Sequence, residues 1–142
     1  MINRVVLGYL KKVGGVSWYK PSFEEESDEI ERVARDLSLE SRDVLSALEG
    51  GSLISLSEDT WAHLDNTDSF ATKDLSDVLR LAEEYDRPSV QSIIEKFKHG
   101  GSLPAAIVLG LPDGSDTLVG GNTRLMVARA FGQLPKVWYA RI

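Results

Sequence analysis

Residues Thr117 to Gly132 read TLVGGNTRLMVARAFG, and the fold turns on them. Thr117-Leu118-Val119 is a short apolar, β-branched run that suits a strand. Gly120-Gly121 breaks it. From Asn122 the spacing becomes that of a helix, with Leu125, Ala128 and Phe131 to bury and Gly132 to stop it. Upstream, Ala105 to Leu109 (AAIVL) is a second apolar run. Pro112-Asp113-Gly114-Ser115 lies between the two runs and carries turn chemistry, so a β-hairpin is predicted. Downstream, Lys136 to Ile142 (KVWYARI) reads as a closing strand, in which Trp138 and Tyr139 alternate so that only one of them faces inward.

A strand, a glycine pair and a helix start make a place for an anion. The first turn of a helix offers backbone N–H groups without helical acceptors and the positive end of the macrodipole, and glycines let the chain approach a ligand closely. Asn122 or Thr123 can supply a capping or ligand-facing oxygen, while Arg124 can hold phosphate with a planar bidentate fork. Arg129, five residues on, is turned away around the helix. The plainer reading of the same residues is a Gly-Gly turn into an ordinary capped helix, with Arg124 a surface charge.

Working toward the N-terminus, Pro88 suits the first position of a helix burying Val90, Ile93, Ile94 and Phe97, with Gly100-Gly101 beyond its end. Thr72 or Asp74 starts the helix before it, whose apolar set is Leu75, Val78, Leu79, Ala82 and Tyr85. Leu53 to Leu56 (LISL) reads as a brief strand, followed by Ser57 capping a turn of helix that carries Trp61 and Leu64 up to Asn66. A helix from about Ser41 buries Val44, Leu45 and Leu48, and Gly50-Gly51 ends it with a stop of the kind that accepts positive φ. Ser22 with Glu25 three residues later is a capping-box pattern, followed by Ile30, Val33, Ala34 and Leu37 at helical spacing. Arg4 to Leu10 (RVVLGYL) is a strand candidate ended by Gly14-Gly15.

The 142-residue chain is 42% hydrophobic and 27% charged, ordinary for a folded domain and unlike a disordered one. No apolar stretch approaches the roughly 18 residues of a spanning helix, and no signal-like segment opens the chain, so a cytoplasmic location without a membrane partner is expected. The absence of cysteine removes disulfides, thiolate catalysis and Cys-based metal sites. His63 and His99 lie far apart, so a metal would have to draw on carboxylates. The net charge of −6 is segregated: residues 22–86 hold 19 acidic and 5 basic side chains, whereas residues 1–21 and 104–142 are net basic. That acidic middle disfavours nucleic acid as a partner. Trp18, Trp61 and Trp138 could stack a base, yet large aromatics beside apolar strands belong first to the core.

The order strand, Gly-x-x-Arg, helix ending at a glycine, closing strand resembles the ParB/sulfiredoxin superfamily, whose members bind nucleotide phosphates at this helix start. The motif here is Gly121-Asn122-Thr123-Arg124. Ser89 to Leu109, SVQSIIEKFKHGGSLPAAIVL, is similar to the helix, glycine, proline and strand that precede it in the family. The wording LPAAIVL, DG, LVGGNTRLMVARAFG is also similar to ParB-like proteins of tailed bacteriophages, which would place the chain in a host cell's cytoplasm. The resemblance implies an α+β fold, a small mixed sheet with packed helices, over residues 53–142, with residues 1–52 an N-terminal helical extension packed on it. It further implies a phosphate cradle of Gly120, Gly121, Asn122, Thr123 and Arg124 for ATP or another nucleoside triphosphate with magnesium.

Departures from the family narrow the chemistry. Asn122 stands where sulfiredoxin has its catalytic cysteine, so sulfinate reduction is excluded, and where ParB has a glutamate linked to triphosphate turnover. The helices that bind DNA in ParB do not follow within this sequence, so a ParB-type DNA clamp is not expected. Phosphotransfer to a hydroxyl would need a carboxylate near the acceptor, for which the weak candidates are Asp65, Asp68 and His63, with Glu58 and Asp59 nearby. Each of these also reads as a cap or a solvated charge. The leading expectation is therefore a nucleotide-binding phosphotransferase or hydrolase. The alternative is a non-catalytic acidic protein that binds or inhibits a host protein. A nuclease, the third reading, is disfavoured by the charge.

Overall fold

The structure, a computed structural model, describes residues 15–84 and 89–142. The strand expected over Arg4 to Leu10, and the roles given to Tyr85 and Pro88, lie outside the described residues. Among the described residues there are six strands: β1 Ser17–Tyr19, β2 Ser52–Ser55, β3 Ser102–Pro104, β4 Ala106–Gly110, β5 Asp116–Gly120 and β6 Lys136–Arg141. The same described residues form six helices: α1 Ser27–Asp36, α2 Ser41–Glu49, α3 Glu58–Ala62, α4 Leu75–Glu84, α5 Val90–His99 and α6 Asn122–Ala130. A 3₁₀ turn spans Ser69–Ala71. The fold is thus mixed α and β with a small mixed sheet.

The expected hairpin forms. Strands β4 and β5 pair antiparallel, and the turn closes with Leu111 N–H donating to Ser115 O at 2.8 Å while Gly114 takes φ +89°. Ser115 donates from both its hydroxyl and its backbone N–H to Asp113, and these bonds hold the Asp113 carboxyl below its ordinary range. Near its end the pairing slips between Ile107 and Val108, which face Gly120 and Leu118. Val119 is the extra residue of a bulge that turns the strand just before the glycine pair.

The main sheet has the order β2-β6-β4-β5, with β6 antiparallel to β2 and parallel to β4. Because β4 is central, every residue of Ala106–Gly110 is buried, as a strand covered on both faces must be. Its side chains alternate between two cores. Ala106 and Val108 join Leu118, Val137, Phe97, Ile94, Leu125, Val78 and Trp61 beneath α4, α5 and α6. Ile107 and Leu109 join Val119, Ala140, Ile30, Val33, Ala34, Val44 and Leu48 beneath α1 and α2. The expectation that only one of Trp138 and Tyr139 faces inward therefore fails. Tyr139 packs against the first core and Trp138 against the second, since both faces carry helices.

Two smaller expectations are also corrected. Leu45 is 37% exposed, because Val44 and Leu48 already fill the inward stripe of α2. The stop after α2 uses no positive φ: Gly50 has φ −88°. A left-handed helix cap falls instead at Gly100, with φ +78° and its N–H donating to Lys96 O at 2.9 Å. Ser57 caps α3 as expected, its Oγ accepting from Thr60 N–H at 3.2 Å. At the Ser22 capping box, Glu25 N–H donates to Ser22 Oγ at 3.3 Å, yet residues 23–26 form a turn and α1 begins at Ser27. A second, two-stranded sheet pairs β1 parallel with β3. Among the described residues no helix is long and apolar enough to cross a membrane.

Candidate functional site

The Gly120–Arg124 turn forms one wall of a cleft of about 610 Å³, with Glu26, Glu29 and Arg32 from the α1 side and Asn66, Ser89 and Ile93 around the rest. The sharp passage from β5 into α6 depends on Gly121. Its φ is +100°, and a Cβ there would stand 2.6 Å from Ala106 Cβ and 2.7 Å from Ala106 Cα. Any side chain is therefore refused both by backbone conformation and by the neighbouring strand. The first helical hydrogen bond runs from Leu125 N–H to Gly121 O at 3.0 Å, so the earlier N–H groups of α6 leave the helix end on the side of the turn.

Asn122 does not cap the helix; the cap position is Gly121, and no side chain accepts there. Instead Asn122 Oδ1 accepts from the Thr67 hydroxyl, and Nδ2 approaches Met126 Sδ at 3.6 Å. Behind Thr67 lies a polar chain into the core. Trp61 Nε1 donates to Ser69 Oγ at 2.8 Å, and Ser69 Oγ lies 2.9 Å from Thr67 Oγ1. Thr67 has one hydroxyl hydrogen and Asn122 Oδ1 can only accept, so that hydrogen goes to Asn122 and the Ser69 hydrogen goes to Thr67. The chain is satisfied in one direction, from the indole to the first residue of α6. Asn66 ties the same loop to β5 by donating from Nδ2 to Leu118 O at 2.9 Å.

Arg124 is drawn across the turn. Its Nη2 donates to Glu26 Oε1 at 2.9 Å, with the two side chains only 15% and 16% exposed. Its Nε is buried with no hydrogen-bond partner among the described residues. The other acid of the cleft, Glu29, is bonded to Arg32 one turn along α1. Arg129 is directed elsewhere: Nε donates to Phe70 O at 3.0 Å, the guanidinium lies 3.9 Å from the Phe70 ring centroid, and Nη1 reaches Glu58 at 3.4 Å.

Of the candidate acids and bases, none lines the cleft. His63 is exposed, its Nδ1 2.9 Å from Asp59 O. Asp65 is exposed, and its backbone bridges to β5 at Thr117; Asp68 is exposed beside the 3₁₀ turn. The carboxylates that do face the turn are Glu26 and Glu29, neither of which the sequence singles out. No spacing signal marks them, since Glu26 meets Arg124 across 98 residues. Among the described residues no group of three or more metal-ligating side chains is assembled. The tryptophans serve packing: Trp61 is buried, Trp18 meets Phe97 edge-on at 5.9 Å, and Trp138 donates to Leu48 O at 2.7 Å.

No protein-family model, no curated protein and no solved structure matches this chain.

Proposed function

We propose that the chain is a ParB/sulfiredoxin-type domain that binds the phosphates of a nucleoside di- or triphosphate, ATP or a similar nucleotide with magnesium, along Gly120–Arg124. The observation that carries this reading is convergence. A glycine turn that no side chain can fill, the N-terminus of a nine-residue helix and a mostly buried arginine meet on one cleft of about 610 Å³, inside the range of small-molecule sites. The order hairpin, glycine turn, helix, closing strand supports the family placement. A phosphotransferase or hydrolase activity on that nucleotide is the finer part of the proposal, and Glu26 and Glu29 are the carboxylates near enough to the turn to serve it.

The test is thermal unfolding with a panel of nucleotides, with and without magnesium. A nucleotide at 100 times its dissociation constant stabilises the fold by about 2.7 kcal/mol, a rise of a few degrees. Arg124→Ala is expected to weaken nucleotide binding about tenfold or more, as a charged hydrogen bond contributes roughly 1.5–3 kcal/mol. Affinity retained within a factor of about two would count against the cradle. The second reading, an acidic protein that binds a basic host protein, is favoured by one observation: Arg124 is already neutralised from within by Glu26, while Glu24, Glu25, Asp28 and Glu31, within five residues of Glu26 along the chain, stand exposed. A melting temperature indifferent to every nucleotide would select it.

A further inference from the structure

The Glu26–Arg124 pair lies over the glycine turn itself. A Cβ at Gly121 would stand 2.8 Å from Arg124 Nη2, and one at Gly120 would stand 2.9 Å from Glu26 Oε2. Both charged groups thus cover the surface along which phosphates would lie. Resting on the phosphate reading above, we propose that Glu26 is the specificity-determining residue of this cleft: its carboxylate is a tethered anion on Arg124, and a ligand binds by displacing it.

Three features make Glu26 a competitor that can leave. Its backbone is fixed independently of its side chain, with Glu26 N–H donating to Ser22 O at 3.1 Å and Ile30 N–H donating to Glu26 O at 3.0 Å. The carboxylate caps nothing at the start of α1, so it can swing out with no change to the helix. The pair is also a single contact, one carboxylate oxygen on one guanidinium nitrogen, with Arg124 Nε left unpartnered. A phosphate that engages two N–H groups at once makes a stronger, bidentate bond. The cleft would therefore ignore weakly accepting anions and select a phosphoanhydride, whose several oxygens reach the guanidinium and the α6 N-terminus together.

The experiment is isothermal titration of inorganic triphosphate into the wild-type protein, Glu26→Gln, Glu26→Ser and the double variant Glu26→Gln with Arg124→Ala, each shown folded by its melting curve. Both single variants are expected to bind at least tenfold more tightly than wild type, and the double variant is expected to lose that gain. Wild-type binding that the single variants match or fall below would overturn the competitor role and leave the cradle standing. A gain that survives loss of Arg124 would place the anion elsewhere and overturn the proposal. Absence of binding in every folded variant would remove the competitor and the phosphate reading together.

Discussion

The two faces of the main sheet are lined by the same strands yet built differently. Beneath α4, α5 and α6 the core is anchored by large rings: Trp61 and Phe97 are fully buried, Phe97 stacks on Phe131 at 5.3 Å, and Phe70 meets Trp61 at 5.9 Å. Beneath α1 and α2 the buried residues are aliphatic, with Phe23 and Trp138 only partly buried against them. The first face supplies bulk and holds α6 in place. The second supplies, besides apolar area, the acidic wall of the cleft, because α1 follows directly on Glu26. A segment that reads as an addition to the core thus contributes half of the charge chemistry at the glycine turn.

Substitutions on the two faces can break or sharpen this contrast. Phe97→Ala should have the largest effect, about 3–5 kcal/mol in urea unfolding, since it removes a fully buried ring with aromatic partners on two sides. On the other face Leu48→Ala should lower stability by about 2–4 kcal/mol. Both are expected to shift one cooperative transition; separate, earlier hydrogen exchange confined to α1 and α2 in the Leu48 variant would show that the second face is only a loosely held layer. Ser69→Ala, also on the first face, leaves Trp61 Nε1 buried without its acceptor and should cost about 1–3 kcal/mol. It should also loosen Thr67 and the start of α6, which heteronuclear NMR of the Asn122 side-chain amide would report.

The smallest effect is expected at Tyr139. Burial, with the Asp116 carboxylate that accepts its hydroxyl at 2.8 Å, pushes Tyr139 above its ordinary pKa of 10.0. Deprotonation is therefore harder in the folded state than in the unfolded one. The stabilisation this represents is complete below pH 10 and is lost as pH rises through the folded value. Tyr139→Phe should cost about 1 kcal/mol at neutral pH, for a partly exposed hydrogen bond, and should flatten the alkaline limb of the stability profile. An unchanged limb would assign that limb to other groups.

Much of the fold was legible because its signals are local. The Pro-Asp-Gly turn, the glycine pair before α6 and the stripes Ile30-Val33-Ala34 and Ile94-Phe97 depend on backbone preference and period alone. What escaped reading depends on distant pairing. Strands β1 and β3 are three residues each, too short for any alternation to show. Trp138 and Tyr139 could be sorted only once helices were known to cover both faces. The glycine turn stood out in the sequence, but the Glu26 carboxylate did not, since Glu24, Glu25 and Glu26 look alike until the fold turns one of them toward Arg124.

The strand order has a consequence for how the chain acquires its structure. Strand β6 is synthesised last of the six described strands yet occupies an interior position, joined to β2 on one side and to β4 on the other. Until it emerges, β2 has no partner in the main sheet and the β4 edge of the β4–β5 hairpin stays open. Growth from the N-terminus therefore cannot be matched by stepwise assembly of this sheet. Closure waits for one late insertion that joins segments more than eighty residues apart in its Leu53–Trp138 pairing, a nonlocal event of the kind that slows folding. In the interval the apolar run Ala105–Leu109 is the segment most in need of shielding from other nascent chains.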